Sequence, residues 1–390
     1  MFRDAVRRFV EAELVPRREE LEFGDLPPYG VLRAFFQAFE VGSSALERFE
    51  RSLEDVPVEE KSRSAAETLI PIIELSRHSP GLVTAMGVSV SLTAGAILRA
   101  GSREQKERWA RDLLTLDTIG AWAITEPDSG SDAFGSMRST ARVDGDGWIL
   151  NGAKTFITNG PYADTIVFIC KLDDGRPFRE REVMTFVLDR GMPGLEQTPP
   201  LRKMGMHSSP TGEVIVTDVR VGEDRLLRAP RRAAPSSRDG AKATFSTERA
   251  SVAAMALGII DRCLELSVGY ARERSQFGRT IGEFQLIQLK LAHMEVARMN
   301  VESLVLRYIA MADAGVRPTL AEASAMKLYA AQSAMQVALE AVQVFGGNGY
   351  MSENQVEQLC RDAKVLQIYG GTDEIQVTHI AKDLLRRASS

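Results

Sequence analysis

The 390-residue sequence predicts an α+β fold in which helical segments flank a β-rich middle, and three observations carry that expectation. Apolar residues recur at helical spacing over positions 1 to about 118 and again from Ser246 onward. Between about 119 and 230 they fall instead into short β-rich runs separated by turn signals. The C-terminal stripes are long, as a helix bundle requires. The expected domains are 1–118 (helical), 119–232 (β) and 233–390 (helix bundle).

In the first segment, loops are expected at Asp25-Leu26-Pro27-Pro28 and around His78-Ser79-Pro80-Gly81, where Pro and Gly interrupt the pattern. Residues Met1 to Glu20 alternate Arg and Glu around Phe2, Val6, Phe9, Val10 and Leu14, the spacing of an amphipathic surface helix. In the middle segment, Ala141-Arg142-Val143 and Trp148-Ile149-Leu150 flank Asp144-Gly145-Asp146-Gly147, which predicts a hairpin. Further strands are expected at Thr165–Cys170, Val183–Leu188 and Glu213–Val216. In the last segment Ile287, Leu291, Met294, Val301, Val305 and Tyr308 trace one helical stripe, and Leu328, Ala331, Met335, Leu339 and Val342 another. Gly315-Val316-Arg317-Pro318 separates the two.

Composition narrows the function classes. A net charge of -5 argues against a broad phosphate-binding surface, so no nucleic-acid partner is expected. No apolar run approaches the roughly 20 residues of a membrane-spanning helix, so no membrane span is expected either. The Arg/Glu-rich N-terminus is too acidic for a transit peptide and too charged for a signal peptide. Cys170, Cys263 and Cys360 are odd in number and widely spaced, which suits reduced thiols in a cytoplasm. The four histidines form no spaced cluster, so no metal site is expected. The reading is a cytoplasmic enzyme or binding protein.

Three motifs carry chemistry. Trp122-Ala123-Ile124-Thr125-Glu126-Pro127-Asp128-Ser129-Gly130-Ser131-Asp132 is a tight Ser/Gly/Asp loop whose backbone N–H groups suit polar or anionic ligand atoms. Gln343-Val344-Phe345-Gly346-Gly347-Asn348-Gly349-Tyr350 ends a helical stripe in glycines. The third is Gln367-Ile368-Tyr369-Gly370-Gly371-Thr372-Asp373-Glu374-Ile375-Gln376. Together they resemble the acyl-CoA dehydrogenase family. The resemblance is firm from about Gly81 to Leu385 and weaker before that, where Phe39–Ser79 replaces a glycine-containing loop. A second departure is the basic, Pro/Ser/Ala-rich stretch Arg228–Lys242, where relatives have a shorter turn.

The resemblance implies an N-terminal helical domain, a β-barrel-like middle domain and a C-terminal four-helix bundle. It implies FAD as cofactor, held across the β domain, the bundle and a neighbouring subunit; no GxGxxG follows a strand, so a Rossmann site is not indicated. Trp122, Ile124 and Thr125 would meet the isoalloxazine, with Ser131 toward FAD phosphate or acyl-CoA. Phe156, Ile157 and Thr158 would flank the flavin. Arg274, Gln276, Phe277 and Gln285 resemble the segment on the pyrophosphate, which a guanidinium suits. Gln343, Gly346 and Gly347 would approach FAD held mainly by another protomer, and Thr372 and Glu374 also face the cofactor. The implied partners are an acyl-CoA substrate, an electron-transfer flavoprotein and further copies of the chain, as a dimer of dimers.

The implied reaction is α,β-desaturation of an acyl-CoA thioester, which needs a carboxylate base and an oxyanion donor. Most relatives carry a glutamate at the position of Gly370, which here offers only its backbone N–H. Long-chain and isovaleryl-type members instead place a glutamate before an arginine on the first bundle helix, and Phe245-Ser246-Thr247-Glu248-Arg249-Ala250 matches that pattern. Glu248 is therefore the expected base. As a first-turn residue it would feel opposing influences: the helix dipole lowers its pKa, and an apolar acyl chain raises it. Arg249 would be structural or CoA-binding, and Tyr369 and Gly371 would lie against substrate. The alternative is a catalytically silent subunit that shares FAD contacts with an active partner; an oxidase is a third possibility.

Overall fold

A computed structural model describes residues 1–53, 64–228 and 237–387. The N-terminal third is helical: α1 (Phe2–Phe9), α2 (Arg18–Phe23), α3 (Tyr29–Ala38), α4 (Val41–Leu53), α5 (Ala65–Ser76), α6 (Pro80–Gly87), α7 (Ala94–Ala100), α8 (Arg103–Gln105) and α9 (Arg111–Thr115). The amphipathic helix expected over Met1–Glu20 is broken. A π turn at Val10–Leu14 and a 3-10 turn at Val15–Arg17 separate α1 from α2, because Pro16 cannot continue the N–H ladder. Its apolar face is still buried through Val6, Val10 and Leu14. Arg3 and Arg7 tie that face to Glu74 of α5. Residues Pro80–Ala100 form a 21-residue helical stretch of mean hydropathy 1.8, longer than any apolar run expected from the sequence. Ser89, Ser91 and Thr93 interrupt it in sequence, and half of the window is buried inside the protein, as in a core helix.

The middle segment comprises β1 (Gly120–Ala123), α10 (Ala133–Ser136), β2 (Thr140–Asp144), β3 (Gly147–Thr158), β4 (Thr165–Leu172), β5 (Val183–Asp189), β6 (Leu195–Gln197) and β7 (Thr211–Val221). They make one seven-stranded curled sheet in the order β1-β4-β2-β3-β7-β6, with β5 on β4. The expected hairpin forms: Asp144 pairs with Gly147 across a two-residue turn. Both faces of β4 are buried. Ile166, Phe168 and Cys170 enter the sheet's own core, while Val167 and Ile169 pack with residues of α4, α7 and α9. That is why its sequence is a continuous apolar run instead of an alternation.

The C-terminal part holds α11 (Ser237–Glu273), a small hairpin β8 (Ser275–Gln276) and β9 (Arg279–Thr280), α12 (Gln285–Asp313), α13 (Leu320–Phe345), α14 (Gln355–Val365) and α15 (Asp373–Arg387). Helix α11 starts at Ser237, well before the expected Ser246. The backbone of the basic stretch is therefore helical at Arg238 and Lys242, while Arg231 and Arg232 lie outside the described residues, as do positions 54–63 of Phe39–Ser79. From Ala250 to Ile260 nearly every side chain of α11 is buried, which makes it the central helix, packed by α5, α12 and α13. The α12 stripe is buried at Met294, Val301 and Val305. On α13 the stripe is buried at Ala331 and packs against the core at Met335 and Val342, but Leu339 is 52% exposed, and the buried face also takes in Ala323, Lys327, Ala330, Ala334, Ala338 and Ala341. Small side chains let α13 approach α11 closely, so the alanines face inward and the larger residue faces out.

Asn159, just after β3, joins the β sheet to the N-terminal helices. It is fully buried, its Oδ1 accepts from the Tyr29 hydroxyl (3.0 Å), and its Nδ2 donates to the carbonyls of Ala85 and Gly120 (both 2.9 Å). It also adopts φ +63°, a conformation Asn tolerates better than Ala. Asn159→Ala should lose roughly 2–4 kcal/mol of stability by leaving three buried groups without a partner. Thermal unfolding of the flavin-loaded protein checks this; an unchanged Tm would refute it.

Candidate active site

The loop after β1 is braced from inside. Lys154 on β3 is fully buried and donates to the Ile124 carbonyl (3.1 Å) and to Glu126 Oε1 (2.8 Å). Glu126 also accepts the backbone N–H groups of Arg138 (2.6 Å) and Ser139 (2.9 Å). Burial alone would raise the Glu126 pKa, but Lys154 and these N–H donors hold it below the ordinary carboxylate range. The Thr155 N–H donates to the Thr125 carbonyl (2.9 Å), which fixes the loop against β3.

Between Lys154 and Ile157 the β3–β7 register slips, and this bulge turns Phe156 outward. Phe156 has φ +58° and is 68% exposed. The Ile157 side chain points into the sheet core, so it can offer a cofactor only its backbone, while half-buried Trp122 packs between the sheet and the helices. Thr125 and Thr158 are half-buried, and Ser131 is exposed.

A second group forms around the Tyr369–Thr372 turn. Gly370 has φ +61° and Gly371 φ +85°, the left-handed region that glycine enters without cost. A Cβ at Gly370 would stand 3.6 Å from Glu248 Oε1 and 3.8 Å from Val252 Cγ2. The Glu248 carboxylate therefore occupies the space that a side chain at 370 would enter. Tyr369 closes another side, its hydroxyl 3.4 Å from Thr84 Oγ1 and 3.5 Å from Met255 Sδ. Thr84 lies one residue before Ala85, to which Asn159 bonds, so α6 links this group to the end of β3.

Glu248 is not in a first helical turn. It is the twelfth residue of the 37-residue α11, too far from the N-terminus for the expected dipole effect. Enclosure by protein raises its pKa, opposed by the charges of Arg249 and Lys327. Among the described residues no hydrogen-bond donor or cation contacts its carboxylate. Likewise none of them accepts from the Gly370 N–H. Arg249 is 3% exposed, with Nη2 3.3 Å from His379 Nδ1 of α15, a geometry that suits bracing between helices more than contact with CoA. Thr372 Oγ1 accepts from the Ile375 N–H at the start of α15, and Glu374 is exposed.

The remaining expected residues form a third group at one end of the bundle. Tyr270 stacks on Phe345 (4.1 Å between ring centres) and its hydroxyl accepts from Asn348, joining the end of α11 to the Gly346-Gly347 turn. Arg274, Gln276, Phe277, Gln285 and Gln343 are all exposed there. Phe277 is 93% exposed at the tip of the β8–β9 hairpin. Among the described residues no hydrogen bond or ion pair joins this group to the other two. Sequence reasoning missed Thr84, Lys154, Met255 and Lys327. Lys327 carried a signal, since it falls among alanines on the inward face of α13.

Comparison with known proteins gives the class, an oxidoreductase acting on CH–CH groups with a flavin. Family models for the acyl-CoA dehydrogenase N-terminal, middle and C-terminal domains match residues 57–117, 121–219 and 239–385. The chain belongs to the acyl-CoA dehydrogenase family, and its cofactor is FAD. It is 36% identical to an acyl-CoA dehydrogenase of Bacillus subtilis (strain 168), over 99% of this chain and 97% of the other. Its fold matches butyryl-CoA dehydrogenase from Megasphaera elsdenii with a TM-score of 0.86 at 31% identity, covering 98% and 97% of the two chains. A chain from a structure of the electron transferring flavoprotein of Acidaminococcus fermentans matches with a TM-score of 0.84 at 32% identity, covering 99% and 97%. The residues present fit a flavin. A bulged strand turns the Phe156 ring outward, half-buried Thr158 follows on the same strand, and half-buried Thr125 is held against that strand through its carbonyl.

The raised pKa of Glu248 has a stability consequence. A carboxyl that ionises less readily in the folded chain than in the unfolded one, near 4.3, destabilises the fold as pH rises through the folded value. Glu248→Gln should therefore have a Tm equal to or above wild type at neutral pH, and the gap should close below about pH 4. Differential scanning fluorimetry across pH checks the sign; a variant less stable at pH 7 would overturn it.

Proposed function

We propose that Glu248 removes the α-proton of an acyl-CoA thioester while the Gly370 N–H donates to the thioester carbonyl oxygen. The proton passes to the Glu248 carboxylate, two electrons and the β-hydrogen leave as hydride, and the product is the trans-2-enoyl-CoA. Bound FAD supplies the hydride acceptor. The observation that carries this reading is the Glu248 carboxylate standing 3.6 Å from the Cβ position of Gly370. The Gly370 N–H, with no acceptor among the described residues, supports the oxyanion role. Both groups belong to one chain, which counts against the silent-subunit alternative.

Thr125, Phe156 and Thr158, with the backbones of Trp122, Ile124 and Ile157, would hold the isoalloxazine. Ser131 would reach toward the FAD phosphate or the CoA. Tyr369 and Gly371 would line the acyl site, with Thr372 and Glu374 on the cofactor side. Arg274, Gln276, Phe277, Gln285, Gln343, Gly346 and Gly347 would complete the FAD site of a neighbouring copy, in keeping with their exposure at one end of the bundle. That arrangement implies at least a dimer, and by family resemblance a dimer of dimers. Similarity to the Acidaminococcus fermentans chain supports an electron-transfer flavoprotein as acceptor.

Anaerobic titration of the flavin-loaded protein with short, medium, long and branched acyl-CoAs, read by flavin absorbance, tests the reading and names the substrate class. Glu248→Gln should bind FAD and bleach more slowly by about 10²–10⁴-fold. Flavin that bleaches at the wild-type rate in this variant would remove Glu248 from the role of base. In the wild type, the bleaching rate should rise with pH through a value above the ordinary carboxylate range, since only ionised Glu248 accepts the proton. Gly370→Glu in the Glu248→Gln background should restore part of the rate, with a backbone strain of about 1–2 kcal/mol at φ +61° limiting the recovery.

A further inference from the structure

Lys327 has an unusual position for a lysine. It lies on the alanine face of α13, is fully buried, and its Nζ donates to the Gly371 carbonyl (2.9 Å) with Asp373 Oδ1 3.5 Å away. The same carbonyl accepts from Gln376 Nε2 (2.8 Å), which also donates to the Gly370 carbonyl (3.0 Å). Two buried donors from different helices thus hold the two carbonyls of the glycine turn. The Gly370 N–H lies in the Tyr369–Gly370 peptide, next to these two, so holding the Gly370 and Gly371 carbonyls narrows the torsions through which that N–H could swing. A Gly-Gly turn would otherwise wander over the wide range of φ and ψ open to glycine.

We propose that Lys327 is a positioning residue for proton abstraction, aiming the Gly370 N–H through the Gly371 carbonyl and lending positive charge to the space around Glu248. This inference rests on the reading of Glu248 as base. The charged and titratable groups that act on Glu248 are Arg249 on α11, Lys327 on α13 and Tyr369 on the turn; Asp373 of α15 faces Lys327, and His379 of α15 faces Arg249. Of these, Arg249 and Lys327 oppose the upward shift that enclosure imposes on Glu248. Arg249 is engaged with His379, and Lys327 is the cation that also touches the turn. An ammonium on this carbonyl thus couples two needs of the reaction, a fixed oxyanion donor and an ionised base.

Two variants separate the two contributions. Lys327→Met removes the hydrogen bond and the charge, whereas Lys327→Gln keeps a donor for the Gly371 carbonyl and removes only the charge. Both are measured as FAD-loaded protein, by anaerobic flavin bleaching under saturating substrate across pH, with flavin content and substrate Kd recorded in parallel. The substrate is whichever acyl-CoA bleaches the wild type. Lys327→Met should lower the limiting rate about tenfold to a hundredfold, with Kd changed less than about threefold. In both variants the rise of rate with pH should move to higher pH, because removing a nearby positive charge makes Glu248 harder to ionise. Lys327→Gln should recover much of the limiting rate at the high-pH plateau.

An unmoved pH profile with an unchanged plateau in Lys327→Met would overturn the proposal. So would loss of folding or flavin in both variants, which would make Lys327 a packing residue. Glu248→Gln measured alongside keeps the two readings distinct. If that control bleaches at the wild-type rate, the base assignment fails. If it does not bleach and the Lys327 variants keep the wild-type profile, only the role of Lys327 fails.

Discussion

The constraint on which the site depends is the enclosure of α11. From Ala250 to Ile260 this helix presents apolar or small side chains in nearly every direction, so it must be surrounded by α5, α12 and α13. Glu248 stands at the edge of that stretch, where the helix has just entered the packed interior. It is half-buried there, and enclosure by protein raises its pKa. A desolvated carboxylate is a stronger base than a hydrated one, so packing alone supplies part of what proton abstraction needs. The same packing brings α13 close enough for Lys327 to reach the glycine turn.

The β sheet depends on a different kind of constraint. The loop after β1 is irregular backbone, and such backbone keeps one shape only when its polar groups are matched. Lys154 and Glu126 do that from below, and Asn159 does it at the other end of the same strand. Each is buried and satisfied by several partners, which is the condition under which an interior polar network rigidifies instead of destabilising. The exposed, left-handed Phe156 lies between these two anchors. Strain at that residue is tolerated because the strand is held on both sides of it.

The fold was legible in the sequence where hydrophobic period and turn chemistry agreed. Asp144-Gly145-Asp146-Gly147 named its hairpin, and the run Thr165–Cys170 named a strand, which the structure buries on both faces. The motifs named the family. Legibility failed where tertiary packing chose between equivalent local options. The α13 stripe took in Leu339, which faces out, and left out most of the buried alanines, because alanine signals little by hydrophobicity, yet alanines are what allow α13 to approach α11. The start of α11 was misplaced because a basic, Ser- and Ala-rich stretch reads as a loop, although a helix continued from a packed segment can carry it. That error also misassigned the electrostatics of Glu248, which has no nearby helix end to lower its pKa. Burial, which periodicity does not report for a single charged residue, sets the sign instead.

Dividing the chemistry between two elements has a physical consequence. When a turn carries both a base side chain and an oxyanion N–H, one backbone conformation must aim both groups. Here the turn carries only glycines at 370 and 371, while the proposed base rises from a helix whose backbone is held by packing. The helix can then fix the carboxylate with little help from hydrogen bonds, which leaves its lone pairs available. The turn, freed of side chains, must be fixed by something else, and without a Cβ its own torsions cannot do it. Lys327 and Gln376 meet that need from neighbouring helices. Loss of a side chain at Gly370 thus creates a requirement for buried donors to its carbonyls, and those donors are present.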